Sequence, residues 1–411
     1  MAIDVNSVIQ DLAVIMVVSS LMAIASFKLK QPLILGYIIA GILVGPNVPP
    51  SLIFDPDVVN VFAQIGIILL LFVVGLEFPV SRLREIGRKA TIVACVKLGG
   101  VFAVSYLVTL ALGFSMYDRL YVALAVSVTS TIIAMKILEG FGAVEEQAAS
   151  LIVAISIIED IIVVSALALL QSTALRGSVS LLQLAESSGL VVAFILGVIL
   201  IGSRTIPRLI NFVAKSNSQE LLLIAMLGVA FGIAVLGSNL GISVATGSFL
   251  AGVVVAESKA VEPARVISRP LRDMFSAIFF VSMGALMNVF LIFVFILPAL
   301  VLVATSIAMK FVLSVSAATV QGYQRSVSLK IGVGLSSTGG EMSLVVAKGG
   351  ADVAATSPFV LPMIGVITLI TTFISPYIIS RGWNLVTDKW TAPQTKPVEL
   401  EPAEQDHVEA G

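Results

Sequence analysis

Long apolar runs, separated by short polar segments, occupy the chain from about residue 7 to residue 380. A helix needs about 20 mainly apolar residues to cross the hydrocarbon core of a bilayer, and most of these runs are that long. The predicted fold class is an all-α polytopic membrane protein whose transmembrane part covers residues 1–389. The pattern predicts about thirteen spanning helices, at residues 7–26, 32–45, 58–78, 90–113, 119–138, 146–173, 179–203, 219–236, 240–257, 271–288, 290–320, 326–348 and 357–380.

The composition is typical of a chain that is solvated mostly by lipid. Hydrophobic residues make up 58% of the 411 positions and charged residues only 12%, whereas soluble domains carry about 25% charged residues. The formal net charge is −1, and no basic patch is large enough to follow a phosphate backbone, so nucleic acid is not an expected partner. The single cysteine, Cys95, cannot form an internal disulfide.

Lysine and arginine residues are divided unevenly between alternate loops, and this division predicts the orientation of the chain. One set of loops holds Lys28, Lys30, Arg82, Arg84, Arg88, Lys89, Lys136, Arg204, Arg208, Lys215, Lys259, Arg265, Arg269, Arg272, Arg325, Arg381, Lys389 and Lys396. The other set holds only Arg119, Arg176 and Lys348. We therefore expect a multi-pass protein of the cell membrane, with its N-terminus outside and its C-terminus in the cytoplasm.

The end of the chain differs from the rest. Residues 390–411 are rich in proline, glutamate and alanine and have no apolar period, which predicts a disordered cytoplasmic tail. The only histidine, His407, lies in this tail. It is explained more simply as a solvated residue than as a metal ligand or a proton relay.

Polar interruptions occur at corresponding positions when the first six predicted helices are placed on the last six, an offset of seven. The fifth helix contains Ser127, Thr129, Ser130 and Thr131, and the twelfth contains Gly332, Gly334, Ser336, Ser337, Thr338, Gly339 and Gly340. Because seven is odd, the two halves would have opposite orientation, and such paired interruptions indicate discontinuous helices at a midplane binding site. Close packing of small residues explains either segment alone equally well. Their agreement favours an inverted repeat with two crossed, broken helices.

Three charged residues lie deep in predicted spans, where an ionisable side chain costs about 2.5–3.5 kcal/mol on insertion scales. Glu159 and Asp160 are near the middle of the sixth helix, and Lys310 is deep in the eleventh. Adjacent helical residues point about 100° apart, so one acid can face a cavity while the other faces a neighbouring helix. We expect Lys310 to be the counter-charge of Glu159. A structural ion pair is the alternative, but it leaves the second acid unexplained.

An acid that is buried beside a like charge can hold a proton near neutral pH, and its oxygens also suit a hard alkali cation. Asp160 is therefore predicted to bind either a proton or an alkali cation, with Glu159 beside it. Glu341 follows the two glycines of the second interruption and could offset the positive ends of the half-helices there.

Four other charged residues are expected to have ordinary roles. Lys97 and Lys330 lie near the cytoplasmic ends of their predicted spans, where a lysine can extend its amine to water. Glu77 and Glu257 lie at span ends, where a polar residue is common.

Two segments resemble the cation/proton antiporter-2 family, in particular its Kef-like branch. They are LGYIIAGILVGPN at residues 35–47 and LLLFVVGLEF at residues 69–78, and the resemblance extends over roughly residues 7–380. It implies an antiporter-type fold with a dimerisation domain and a core domain, the core being formed by spans at about 90–173 and 290–380. It also implies a homodimer in the lipid bilayer.

By this resemblance, Asp160 matches the aspartate that binds the cation and the proton, and Glu159 matches the position before it. That position is aspartate in some electrogenic sodium exchangers and asparagine or glutamine elsewhere, so glutamate is a departure. Many Kef-like proteins carry a cytoplasmic nucleotide-binding domain after the last span, but this sequence has no G-x-G-x-x-G. Regulation would then come from a separate cytoplasmic subunit, or be absent, or the sequence is a shortened one.

The predicted function is the exchange of Na⁺ or K⁺ for protons by alternating access, without a cofactor. A sodium-coupled carrier of a small organic anion is the alternative, because half-helix N-termini favour anions. An intramembrane enzyme is disfavoured, because no predicted span contains histidine and no H-E-x-x-H is present. A channel is disfavoured because paired broken helices around one acid suit alternating access better. The sequence leaves the choice of ion and the charge balance of the exchange open.

Overall fold

A computed structural model describes residues 5–29, 31–49, 51–53, 56–76, 87–130, 133–134, 137–138, 143, 146–176, 181–240, 242, 244–336 and 339–390. The regular structure in these ranges is helical. The helices are α1 Val5–Lys28, α2 Leu33–Val44, α3 Pro56–Leu76, α4 Gly87–Ala111, α5 Met116–Ser127, α6 Gln147–Arg176, α7 Leu181–Gly197, α8 Ser203–Ala214, α9 Gln219–Asn239, α10 Val244–Val255, α11 Val261–Leu286, α12 Ile292–Val320, α13 Arg325–Ser336, α14 Glu341–Asp352 and α15 Val360–Trp390.

The predicted class, an all-helical membrane protein, is confirmed. Within the described ranges, eight helical segments are long and apolar enough to cross a bilayer, and the apolar helices α2 and α10 are shorter. The helices α7 and α8 form one of these segments, because the π-helical turn Val198–Gly202 joins them. The count of about thirteen spanning helices stays a prediction.

Both predicted interruptions are present as breaks in helical structure. The helix α5 ends at Ser127, and residues 128–130 are not helical. The helix α13 ends at Ser336 and α14 begins at Glu341, with Gly340 in an extended conformation between them. Three residues predicted to line these breaks, Thr131, Ser337 and Thr338, lie outside the described residues, as does the tail 391–411.

The helices pack in two groups. The first group contains α2, α3, α10 and α11, with α1 and α9 against it. The second contains α4, α5, α6 and α12 to α15, and both broken helices belong to it. The helix α15 contacts α12, α13, α14 and α5 within the second group and also reaches α2 and α11 of the first. Both breaks therefore lie in the second group, which contacts the first group along one side.

The first group is held together at two crossings where glycine faces glycine. At the crossing of α2 and α11, a Cβ on Gly41 would overlap the carbonyl oxygen of Val281, and Gly284 lies opposite. At the crossing of α3 and α10, a Cβ on Gly252 would overlap the carbonyl oxygen of Phe72, and Gly75 lies opposite. Because the obstructing atoms are backbone, neither helix can yield without moving as a whole. These glycines thus set the distance between the helix axes.

We expect Gly252→Ala to lower the thermal stability of the purified protein, because the added methyl group forces α3 and α10 apart. Overpacking of this kind costs about 1–3 kcal/mol. Gly99→Ala in α4 is the matched control, since a Cβ there meets no atom within 4 Å. Melting followed by tryptophan fluorescence in detergent should separate the two variants, and equal melting temperatures would contradict the close crossing.

Candidate ion-binding site

The two acids of α6 lie in the interior of the second helix group. Glu159 is fully buried, and Asp160 is 5% exposed. An acid at this depth requires a compensating charge or hydrogen bonds, because an ion without them is very unfavourable in a medium of low dielectric constant. The neighbouring side chains therefore decide what each carboxylate can do.

Glu159 forms an ion pair with Lys97 of α4. The distance between Lys97 Nζ and Glu159 Oε2 is 2.8 Å, and both side chains are completely buried. The same ammonium group donates to the carbonyl oxygen of Ser127 at 3.1 Å and to the hydroxyl of Thr129. Lys97 therefore joins α4, α6 and the break after α5 at a single point.

The prediction that Lys97 extends its amine to water is wrong. The helix α4 begins at Gly87, ten residues before Lys97, so the lysine lies about 15 Å along the helix from its start. This depth is more than a lysine side chain spans, and its ammonium group turns inward. A signal was available, because a lysine in the middle of a long apolar run is costly unless it has a partner.

Lys310 of α12 takes a different position from the one predicted. Its Nζ donates to the carbonyl oxygen of Val128 at 2.7 Å, and the residue is 4% exposed. The ion pair of Glu159 in the structure is made with Lys97 and not, as expected, with Lys310. Lys97 reaches Glu159 because α4 packs against both α5 and α6. A role for Lys310 as counter-charge during transport stays a prediction.

The two lysines stabilise the C-terminal end of the half-helix α5. The last carbonyl groups of a helix have no N–H partner within it and carry a partial negative charge. Here the carbonyl oxygen of Ser127 accepts from Lys97, and that of Val128 accepts from Lys310. Two ammonium groups thereby replace the helical turn that the break removes.

The second break contacts the first. Gly340 lies directly against Ser130, so that a Cβ on Gly340 would overlap the Ser130 side chain. The Ser130 hydroxyl donates to Glu341 Oε2 at 3.1 Å. Thr372 of α15 donates to the carbonyl oxygen of Gly339 at 3.1 Å. The structure therefore brings the two predicted interruptions together, with a carboxylate between them.

Glu341 occupies the first turn of α14 and is 7% exposed. A carboxylate at this place is stabilised by the positive end of the half-helix. Two other predicted residues bond to their own helices: the Ser127 hydroxyl donates to Leu124 at 2.8 Å, and that of Ser336 donates to Val333 at 2.9 Å. These two hydroxyls belong to helix ends.

A cavity of about 350 Å³ leads from the surface to Glu341. It lies between α2 and α11 of the first group and the breaks of the second, and its polar wall includes Tyr37, Arg272, Asp273 and Ser276. Asp273 is 70% exposed and paired with Arg272, which places this pair at the mouth. The sequence did not indicate these four residues, because nothing in the chain pattern shows which helices face the broken ones across a gap.

The protein oxygens near the site suit an alkali cation better than a transition metal. No group of three or more His, Cys, Asp or Glu residues with metal-ligand geometry occurs within the described ranges. Asp160 stays the predicted ligand, and the hydroxyl groups of Thr129 and Ser130 lie at the breaks. Oxygen ligands of this kind are those that hard cations prefer.

Comparison with known proteins agrees with this geometry. Residues 14–383 match the family described as sodium/hydrogen exchanger, transmembrane. The putative cation/proton antiporter YbaL of Escherichia coli is 31% identical over 66% of this chain and 50% of its own length. The K⁺/H⁺ antiporter subunit KhtU of Bacillus subtilis is 28% identical over 92% of this chain and 96% of its own. This chain thus spans about half the length of YbaL and nearly all of KhtU.

Among solved structures, the sodium proton antiporter MjNhaP1 of Methanocaldococcus jannaschii superposes with a TM-score of 0.67, covering 92% of this chain and 97% of that protein. Sequence identity is 17%, so this likeness shows the fold. The predicted antiporter-type fold and the predicted resemblance to cation/proton antiporters are confirmed. Since the family match extends over residues 14–383 of 411, this chain belongs to the sodium/hydrogen exchanger transmembrane family.

Proposed function

We propose that this protein exchanges a monovalent cation, Na⁺ or K⁺, for protons by alternating access, with Asp160 as the site that the two share. The observation that carries the proposal is the position of the acid pair at the break of α5, where Glu159 is held by Lys97 and Asp160 is the next residue. Glu159 is already compensated by an ammonium group, and Asp160 is the residue that the resemblance to antiporters assigns to the proton and the cation. Membership of the exchanger family supports transport rather than catalysis.

A single carboxylate has too few oxygen atoms to coordinate a cation alone, and the breaks can supply further ones. A cation that leaves water needs several oxygen ligands in place of its hydration shell. Unwound segments in a membrane interior offer carbonyl oxygens where they line a cavity. A rigid shift of the second helix group against the first would open the site to one side of the membrane and then to the other, as in transporters built from repeats.

The two glycine crossings support the predicted inverted repeat. With the offset of seven spans, α2 corresponds to α10 and α3 to α11, so the crossing of α2 with α11 corresponds to that of α10 with α3. The matching helices also share a pattern, GYIIAG at residues 36–41 and GSFLAG at residues 247–252. We assign the first group to scaffold and dimerisation in a homodimer, and the core to spans at about 90–173 and 290–380.

Orientation completes the proposal for this integral membrane protein. The basic loops support a C-terminus in the cytoplasm and an N-terminus outside. The cavity that reaches Glu341 is lined by Arg272, at the start of the predicted span 271–288, which follows the basic loop at Lys259. It therefore opens to the cytoplasm. KhtU is described as an antiporter subunit, and by analogy a separate cytoplasmic protein would regulate this chain.

The organic-anion carrier is less well supported. An anion would be drawn to the N-terminus of the half-helix α14. The carboxylate of Glu341 already occupies that position and accepts a hydrogen bond from Ser130. It would repel an anionic substrate.

Asp160→Asn tests the shared site. We expect cation-driven proton movement in proteoliposomes to fall to the level of protein-free liposomes, because an amide can hold neither the proton nor the cation charge. A pH dye would follow challenge with Na⁺, K⁺, Li⁺ and an organic anion in turn. The control is Glu262→Gln at an exposed position on α11, which should retain activity within about twofold. Wild-type exchange by Asp160→Asn, or a response to the organic anion alone, would contradict the proposal.

Cysteine labelling tests the cavity. In a protein with Cys95 replaced, cysteines at Ser276 and Ile133, which line the cavity, should react with a small water-soluble thiol reagent. Cysteines at Ile155 and Val163, which are fully buried in α6, should react much more slowly. Saturating cation should slow the reaction at Ile133, because occupancy and alternating access both restrict the path. Equal protection at all four positions would exclude a water-filled path to the breaks.

A further inference from the structure

All three N–H groups of the Lys97 ammonium have acceptors. They are Glu159 Oε2 at 2.8 Å, the carbonyl oxygen of Ser127 at 3.1 Å and the hydroxyl of Thr129. An ammonium group has three donors and no acceptor, so every hydrogen bond that Lys97 can donate is made here. Loss of its proton would remove one of these bonds and leave Glu159 as an uncompensated buried charge. The geometry therefore favours a lysine that stays charged.

The second oxygen of Glu159 leads to the same conclusion. Oε2 is bound to Lys97, so an added proton would have to sit on Oε1. That atom is buried and has no hydrogen-bond partner among the residues described. A protonated Glu159 would bury a donor without an acceptor and would also weaken the pair with Lys97, both of which are unfavourable. The ionised form fits the site.

Four charged or hydrogen-bonding groups lie at or next to the Lys97–Glu159 pair. Lys97 approaches from α4, Thr129 lies in the break after α5, Lys310 projects from α12, and Asp160 follows on its own helix. Of these, Lys97 is in direct contact with the carboxylate. Glu159 is thus the acid that Lys97 compensates, and Asp160 follows it on the same helix.

We propose that Lys97 is a positioning residue that keeps Glu159 charged and bound throughout the transport cycle, so that one proton is exchanged for each monovalent cation. The inference rests on the proposed function of Asp160. In the proton-loaded state Asp160 is neutral, and in the cation-loaded state its negative charge is cancelled by the cation. Lys97 and Glu159 contribute zero net charge in both states. The exchange therefore moves no net charge across the membrane.

Without Lys97, the charge balance changes. Glu159 would be free to take up a second proton when the site is empty of cation and to release it when a cation binds. The proton-loaded site would then carry two protons against one cation. Each cycle would move one net positive charge, and the exchange would become electrogenic.

A null-point measurement on the full chain in liposomes distinguishes the two cases, using whichever of Na⁺ and K⁺ drives proton movement. A cation gradient of about tenfold is imposed, and the membrane potential is held at zero with the permeant anion thiocyanate. The external pH is varied until an internal pH dye reports no net proton movement. One-for-one exchange balances a proton gradient of about tenfold, whereas two protons per cation balance only about threefold, because equal gradient ratios store equal free energy.

We expect the wild type and Lys97→Arg, which keeps the charge, to balance near tenfold. Lys97→Met should move the null point toward threefold, and the double variant Lys97→Met/Glu159→Gln should return it to tenfold. The matched control is Lys330→Met, which removes the lysine of another ion pair, with Glu146 at 2.5 Å, six residues before the end of α13. Its null point should equal that of the wild type. A merely structural lysine would change the rate or the yield of protein but not the null point.

A null point near threefold in the wild type would overturn the inference while leaving the exchanger function intact. An active Lys97→Met with a null point near tenfold would overturn it as well. If Lys97→Met does not fold, the wild type and Lys97→Arg still decide between one proton and two. A wild type that shows no cation-driven proton movement would instead refute the proposed function itself, so the two failures are distinguishable.

Discussion

Backbone that is unwound in the interior of a membrane has no water to satisfy its hydrogen-bonding groups, and the architecture of the second helix group follows from this constraint. At the end of α5, the carbonyl groups of Ser127 and Val128 would otherwise point into a medium of low dielectric constant. The ammonium groups of Lys97 and Lys310 bond to them. Charged side chains from α4 and α12 therefore stabilise the unwound backbone after α5.

The charges bring further requirements. The buried ammonium group of Lys97 needs a negative partner, and α6 supplies Glu159. The second break adds Glu341, whose charge is stabilised by the first turn of α14 and by Ser130. Backbone dipoles, lysines and carboxylates thus form one electrostatic unit in which each part compensates another. Within such a unit, a single carboxylate can exchange its occupant while the remaining groups keep the breaks intact.

Much of this arrangement could be predicted from the chain itself. The apolar runs predict the helices directly, because every helix that crosses the bilayer needs about 20 mainly apolar residues. The two interruptions were predicted because glycine and hydroxyl residues have no other common reason to recur in register at an offset of seven spans. Asp160 and Glu159 were identified because a carboxylate in mid-span is costly unless it has a function.

The pairing of the charges could not be predicted in the same way. Which lysine meets Glu159 depends on the lateral neighbours of α6 and on the rotation of each helix, and periodicity specifies neither. Lys97 was misjudged because its distance from water depends on the start of α4 at Gly87, and span boundaries are the least certain part of a hydropathy pattern. The cavity wall on α2 and α11 depends on how two helix groups face each other. These are properties of packing between segments that are distant in the sequence.

The same distinction bears on how acid pairs in exchangers are interpreted. Two adjacent acids in a sequence suggest two exchangeable protons, and therefore a net charge moved in each cycle. The number of titrating groups, however, is set by every helix that reaches the pair. Here α4 brings a lysine to one acid and satisfies all three of its donors there. By the proposal for Lys97, a basic residue on a helix outside the acid pair's own helix determines the charge balance of transport, even though the acids themselves are unchanged.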